Sequence, residues 1–522
     1  LLRAALSHTR FAFLYKRSQE TNLFDVFAAA LIEIATRPDL LGLSLTGVMV
    51  GIILGALPGV SSTMALAILL PLSYAMPTDA AMVFLIGVFS SSVFGGSISA
   101  ILINIPGTPG AIVTQFDGYP MAKSGRAGEA LSYALLASTV GGLLGLAILS
   151  IVAPLIASAA LQFRSPEFAM AAIFGLTMLA YASPGSTFRG ILVGCIGLIV
   201  GMVGFDKLTD VARFDFGTRV LQNGIDIVPL TVGIFGFAEV LINLSSTNQP
   251  IAHVARINRI FPPLASLPKL IAPMMRGSLI GTFVGAIPAA GSAIAVALAY
   301  AQEQRLSKEP ETFGKGAPAG IVAPEASNNA CVGGALVPMM TLGVPGDTMT
   351  AVLMGALLLH GLRPGPLLFA ENPQMVGTIF GSLFFAILLT LVFGFVAIAA
   401  IIQFLKMPRH ILMVGIATLC IFGSFAVRNT LSDVYIMIAF GAVGFVMHKL
   451  KLPTAPLAFG LVLGPLLEEN LRRSLIISRG SWSVFIDRPI SLVLILLSMA
   501  ALLYPLVGLY RKNRREQTGR EI

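Results

Sequence analysis

Near position 104 an apolar stretch gives way to Asn104, Pro106, Gly107, Thr108, Pro109 and Gly110. Proline removes a backbone donor and glycine weakens a helix, so a helix entering this run breaks there. The run sits within residues 87–129, at a depth where hydropathy predicts lipid. Broken backbone at that depth is tolerated only when buried in protein or lining a watery cavity. Comparable interruptions carry Pro58, Gly59, Ser61, Ser62 and Thr63, then Ser292, then Ser327, Asn328, Asn329, Pro345, Gly346 and Thr348. A half-helix that starts inside the membrane offers unpaired N–H groups and the positive end of its dipole. Each such terminus favours an anion by about 0.3–1 kcal/mol, so several together can hold a carboxylate without Arg or Lys. The same hydroxyl and amide oxygens, with unwound carbonyls, suit Na⁺ as ligands.

Acids in apolar surroundings supply a second chemistry. A charge at the bilayer centre costs about 2.5–3.5 kcal/mol on insertion scales. Glu239, Glu325, Asp347 and Asp433 lie within or beside apolar stretches. Glu325 and Asp347 flank the interruptions of the second half, and with Thr348 they are the candidates for coupling to Na⁺ or H⁺. Glu239 and Asp433 read as structural, and His360, just before Gly361, as a helix C-cap. No P-loop glycine–lysine run occurs, and the glycines at 95–96 make no nucleophile elbow, so neither nucleotide hydrolysis nor any other enzyme activity is expected. Cys195, Cys331 and Cys420 are far apart and the five His have no ligand spacing, so no disulfide framework, metal centre or cofactor is expected.

The elements that must position these groups follow from composition. Of 522 residues, 56% are hydrophobic and 11% charged, against about 25% charged in soluble domains. Apolar runs long enough for a hydrocarbon core of about 30 Å recur along the chain. The fold class expected is an all-α polytopic membrane protein with roughly 11–14 embedded segments. The net charge of +9 fits loop Lys and Arg that set orientation, and nucleic acid is not an expected partner. Residues 24–36 read as an interfacial helix, 40–74 as a helix, a break and a half-helix, and 80–103 as a span. Residues 117–129 read as a polar aqueous loop, 131–161 as a long helix with a bend at Gly141-Gly142, and 468–488 as an aqueous loop with Trp482 at headgroup level. The domain division is a poorly ordered leader at 1–23, a first half at 24–246, a cytoplasmic connection at 247–270, a second half at 271–510 and a basic cytoplasmic tail at 511–522.

The two halves share a pattern. With a constant offset of 230 (277 minus 47), Gly47, Gly51, Gly55, Pro58 and Ser62 align with Gly277, Gly281, Gly285, Pro288 and Ser292. Gly95-Gly96 followed by Pro106-Gly107 resembles Gly333-Gly334 followed by Pro345-Gly346, the second spacing being one residue longer. Glycines four apart are by themselves the mark of helix packing. Interrupted hydrophobic segments in corresponding places of both halves point to a transport site at a repeat interface. Two structural repeats with broken helices or re-entrant hairpins are therefore expected. An inverted arrangement is the favoured one, although the loose span count does not fix it.

Three stretches carry a family resemblance: GALPGVSSTMALAILLPLSY at 55–74, FGGSISAILINIPGTPGAIVTQFDGYPMAKSGRAGEAL at 94–131, and APEASNNACVGGALVPMMTLGVPGDTMTAVLMGALLLHGLRPGPLLF at 323–369. RFDFG at 213–217 and GIDIVPLTVGIFGFAEVL at 224–241 add to it. The chain resembles the large membrane (permease) subunit of the tripartite tricarboxylate transporters, with Phe94 where a hydroxylated aromatic is expected. The resemblance implies a bacterial inner-membrane permease that works with a small membrane subunit and a periplasmic solute-binding protein. It implies cation-coupled uptake of di- or tricarboxylates. It also carries over Pro58, Gly59, Asn104, Pro106, Gly107, Asp117, Gly118, Glu325, Asn328, Asn329, Pro345 and Gly346 as site residues. A stand-alone permease or exchanger, and a solute-sensing subunit that moves nothing, are the alternatives.

Overall fold

The computed structural model describes residues 23–182, 187–206, 208–245, 264–405 and 409–518. The leader at 1–22, most of the mid-chain connection and the last four residues of the tail lie outside them. Seven helices among the described residues are long and apolar enough to cross a membrane, and four shorter apolar helices accompany them. In chain order the helices that matter here are α1 Leu23–Thr36, α2 Pro38–Ala56, α3 Ser62–Ser73, α4 Thr78–Ile103, α5 Thr114–Met121 and α6 Ala127–Ala160. They continue with α7 Ser165–Ala182, α8 Thr187–Gly201, α9 Ile227–Ser245, α10 Leu267–Gly285, α11 Gly291–Leu306 and α12 Pro318–Leu342. The last are α13 Thr348–Leu359, α14 Pro373–Leu405, α15 Arg409–Arg428, α16 Leu431–Lys449, α17 Ala455–Ile477 and α18 Pro489–Thr518. A two-stranded hairpin pairs Gly204–Phe205 with Ala212–Arg213.

Glycine sets the central packing. A methyl on Gly47, Gly51 or Gly55 of α2 would stand 2.1–2.7 Å from atoms of Phe84, Val88, Ser91 and Ser92 on α4. A methyl on Gly277, Gly281 or Gly285 of α10 would meet the carbonyl oxygens of Ala323, Ser327 and Cys331 on α12 at 2.1–2.7 Å. The backbones therefore touch, which larger side chains would prevent. Gly95 rests on Ile52 and Ala56 just as Gly334 rests on Thr282 and Ala286. Gly95 thus corresponds to Gly334, and Pro106 follows Gly95 at the distance at which Pro345 follows Gly334. The extra residue inferred from sequence comes from pairing the wrong member of each Gly-Gly doublet.

Both central helices end alike. Asn104 caps α4 in the left-handed region at φ 58°, and Gly343 caps α12 at φ 69°. Helices α2 and α3 form a hairpin, with Met76 after α3 packed beside Leu40 and Leu43 at the start of α2. Helices α10 and α11 form another, closed by Arg276 and Glu303 at 2.7 Å. Around this centre α1 lies on α14, with Phe27 edge-on to Phe380 at 6.2 Å. Helices α8, α14, α15, α16 and α18 turn apolar side chains such as Phe188, Val396, Val414, Phe422, Ile438 and Val493 outward.

Two sequence expectations change. Residues 117–129 are not an aqueous loop: they hold α5, one wide turn at 122–126 and the start of α6. Helix α6 runs unbroken for 34 residues. Its Gly141 lies against the Ala326 carbonyl, a backbone contact between α6 and α12. Residues 468–477 continue α17 as helix, and Glu468 there pairs with Arg472 on the next turn and with Arg213 of the hairpin.

Candidate functional site

The chain is interrupted four times near the core: after α2, after α4, after α10 and after α12. Proline and positive-φ backbone make these breaks, with Gly59 at φ 87° and Ala289 at φ 66° in matching places. The breaks touch one another in a closed ring. A methyl on Gly107 would lie 2.1 Å from the Gly55 carbonyl, joining the first break to the second. One on Gly110 would lie 2.7 Å from Ser292 Oγ, joining the second to the third. The Ala289 N–H donates to the Gly346 carbonyl at 2.6 Å, joining the third to the fourth. Thr348 Oγ1 and Thr63 Oγ1 share a hydrogen bond of 2.7 Å, which closes the ring.

Helix N-termini meet at this ring. Ser61 caps α3 by accepting from the Met64 N–H at 3.1 Å. Asp347 caps α13 by accepting from the Thr350 N–H at 2.8 Å, and the Thr350 hydroxyl bonds back to it. Thr63 and Thr348, in the first turns, hold the two starts together. At the far ends Ser73 Oγ and His360 Nε2 stand 3.4 Å apart, so the two half-helices run side by side in one direction. Each has 12 residues, about 18 Å and roughly half a hydrocarbon core.

Several polar atoms at the ring are buried with no hydrogen-bond partner: Ser62 Oγ, Thr108 Oγ1, Ser327 Oγ and both amide atoms of Asn328. An unmet buried polar group costs about 1–3 kcal/mol, and a bound ligand would remove that penalty.

Glu325 lies beside the ring on α12, fully buried. It accepts from Ser97 Oγ of α4 at 2.6 Å, from Thr114 Oγ1 of α5, and from Ser138 Oγ of α6 at 3.2 Å. Asn329 Nδ2 donates to the same Ser138 at 2.8 Å and to the Glu325 carbonyl at 3.2 Å. One carboxyl therefore ties four helices together through hydroxyls. Thr114 opens α5, directly after the second break, which links Glu325 to the ring.

The structure divides the expected residues. Pro58, Gly59, Ser61, Ser62, Pro106, Gly107, Thr108, Ser292, Asn328, Pro345, Gly346, Asp347 and Thr348 meet at the breaks, and Glu325 and Asn329 form the adjoining cluster. Asn104 is exposed and serves as the left-handed cap of α4. Asp117 has a separate task. Its Oδ1 accepts from the Gly316 and Ala317 N–H groups at 2.8 and 2.7 Å, and its Oδ2 from Tyr300 at 2.9 Å. It pins the start of α12 to α5 and to the end of α11. Gly118 packs on Ile101. Asp433 pairs with Arg428. Sequence reasoning missed Ser97, Thr114 and Ser138. Helix α4 is buried on every face, so nothing in its periodicity separates Ser97 from packing serines.

Comparison with known proteins gives the same family as the motifs. The model of the tripartite tricarboxylate transporter TctA family matches residues 41–459. A protein of Agrobacterium vitis described as an uncharacterized 52.8 kDa protein in the TAR-I ttuC′ 3′ region is 36% identical over 468 residues, covering 90% of this chain and 93% of the relative. A second from the same organism, in the TAR-II ttuC′ 3′ region, is 35% identical over 234 residues, covering 45% of this chain and 97% of the relative. No solved structure matches. A chain matched over most of its length by this model, and rich in membrane-length helices, belongs to the tripartite tricarboxylate transporter TctA family, as a membrane component.

Proposed function

We propose that this subunit is the permease of a secondary transporter that takes up di- or tricarboxylates with a Na⁺ or H⁺ gradient. A periplasmic solute-binding protein delivers the substrate, and a small membrane subunit completes the complex in the bacterial inner membrane, with the basic tail in the cytoplasm. The observation that carries this reading is the closed ring of four helix breaks, with half-helix N-termini and unpartnered polar atoms gathered at it. Converging N-termini favour an anion without a buried Arg or Lys. Broken helices from two halves meeting in the membrane are the usual architecture of secondary transporters.

The two hairpins support an inverted repeat. The α2–α3 hairpin opens on the side where α4 starts. The end of α11 lies with Asp117 of α5, beyond the far end of α4. Corresponding elements thus enter from opposite sides. Coupling is assigned to Glu325, whose hydroxyl partners come from three other helices, so a change in its protonation or ion contacts reaches the second break through Thr114.

Proteoliposomes containing all three subunits test this reading. Radiolabelled citrate or succinate should accumulate when an inward Na⁺ or H⁺ gradient is imposed and should stop when ionophores collapse it. Uptake indifferent to both gradients would remove the coupling. Uptake by this subunit alone would remove the need for the binding protein.

A further inference from the structure

The ring has two corners where different halves of the chain meet beside helix N-termini, and their chemistry differs. At one, α3 meets α13, and the N-cap of α13 is Asp347, a buried acid. At the other, α11 meets the turn Pro109–Ala111, whose N-cap is Thr108, buried and with its hydroxyl unpartnered. Thr108 follows Pro106-Gly107 as Asp347 follows Pro345-Gly346. The acid at the first corner already occupies the positive helix end and repels a second anion. No such acid caps the second corner. There Asn328 is 1% exposed with both amide atoms unpartnered. A methyl on Gly110 would lie 2.0 Å from Asn328 Oδ1 and 2.7 Å from Ser292 Oγ, so the bare backbone of Gly110 packs directly against both polar side chains and brings them to one corner.

Resting on the proposed function, we infer that a carboxylate of the substrate binds at the corner formed by Thr108, Gly110, Ser292 and Asn328, and not at the Asp347 corner. The hydroxyls of Thr108 and Ser292 and the Asn328 amide donate to the carboxylate oxygens, at the N-terminal end of α11.

The test is citrate and succinate binding to the full chain in detergent, read by thermal stabilisation and isothermal titration. Asn328→Asp keeps the shape and places a negative charge at this corner. It should weaken citrate at least tenfold. Ser292 is partly exposed, so Ser292→Ala folds and should weaken citrate about threefold. Gly415→Ala, where an added methyl meets nothing within 4 Å, is the unchanged control. Loss of citrate affinity in Thr63→Val and Thr348→Val, with Asn328→Asp and Ser292→Ala unaffected, overturns the assignment. Failure of the wild-type chain to bind either acid, together with no uptake by the three-subunit complex, overturns the proposed function itself and the assignment with it.

Discussion

Glu325 and Asp117 show how differently two buried carboxyls of one chain are used. Glu325 meets only hydroxyl donors. A glutamine there can still accept from Ser97 and Thr114, so Glu325→Gln should fold with a melting temperature within about 3 °C of wild type. Its gradient-driven uptake should fall at least tenfold, measured in the reconstituted complex. Glu325→Ala instead leaves the Ser97 and Thr114 hydroxyls unmet, at about 1–3 kcal/mol each where they stay buried, and should melt several degrees lower. Asp117 accepts two backbone N–H groups and a tyrosine. Asp117→Ala should therefore lower stability by about 3 kcal/mol or more, with faster hydrogen exchange at the start of α12. Both acids stand out in the sequence as charges in apolar or motif-rich runs. Their partners were not legible, because Ser97 and Thr114 lie 228 and 211 residues from Glu325.

At the scale of elements, the breaks were legible because Pro and Gly have local consequences that tertiary packing does not cancel. The Pro58-Gly59 and Pro345-Gly346 interruptions fall where those residues put them. Polarity makes residues 117–129 read as an aqueous loop, but only the turn at 123–126 is exposed. Asp117 is buried, and its polarity is consumed by the start of α12. The glycine contacts yield a prediction at the same scale. A methyl on Gly281 would stand 2.1 Å from the Ser327 carbonyl, which is backbone and cannot swing away. Gly281→Ala should destabilise the detergent-solubilised protein by about 1–3 kcal/mol in thermal unfolding. Gly51→Ala, whose methyl would meet the Ser91 hydroxyl at 2.1 Å and the Val88 carbonyl at 2.7 Å, should do the same.

Across the whole molecule, several ion pairs tie distant segments of the chain together. One four-residue cluster joins the hairpin at 204–213 to α17: Arg472 bonds Asp206 and Glu468, and Arg213 bonds Glu468. Arg472 first, then the Leu208 N–H and the Thr209 hydroxyl, holds the Asp206 carboxyl well below its ordinary value of 3.8. A carboxyl depressed by folding adds stability above its unfolded value, and that contribution is lost as pH falls through the folded value. The hairpin should therefore stay protected at neutral pH and loosen only in strong acid, seen as faster amide exchange at 204–213. Arg472→Met should bring that loosening toward neutral pH. Composition alone revealed the membrane class, but Asp206 and Arg472 lie 266 residues apart and no local pattern joins them.

The Thr63–Thr348 hydrogen bond has a mechanical consequence. Of the four contacts in the ring, Gly55 with Gly107 and Ala289 with Gly346 each join neighbours within one half of the sequence. Thr63 with Thr348, and Gly110 with Ser292, are the two seams between halves. Rocking of one half against the other must part a seam while leaving the inner joints intact. Replacing Thr63 and Thr348 with cysteine, and exposed Cys195 with serine, would allow one seam to be stitched by oxidation and unpicked by a reductant. A stitched protein that stops transporting, and starts again on reduction, would show that the seam opens in every turnover.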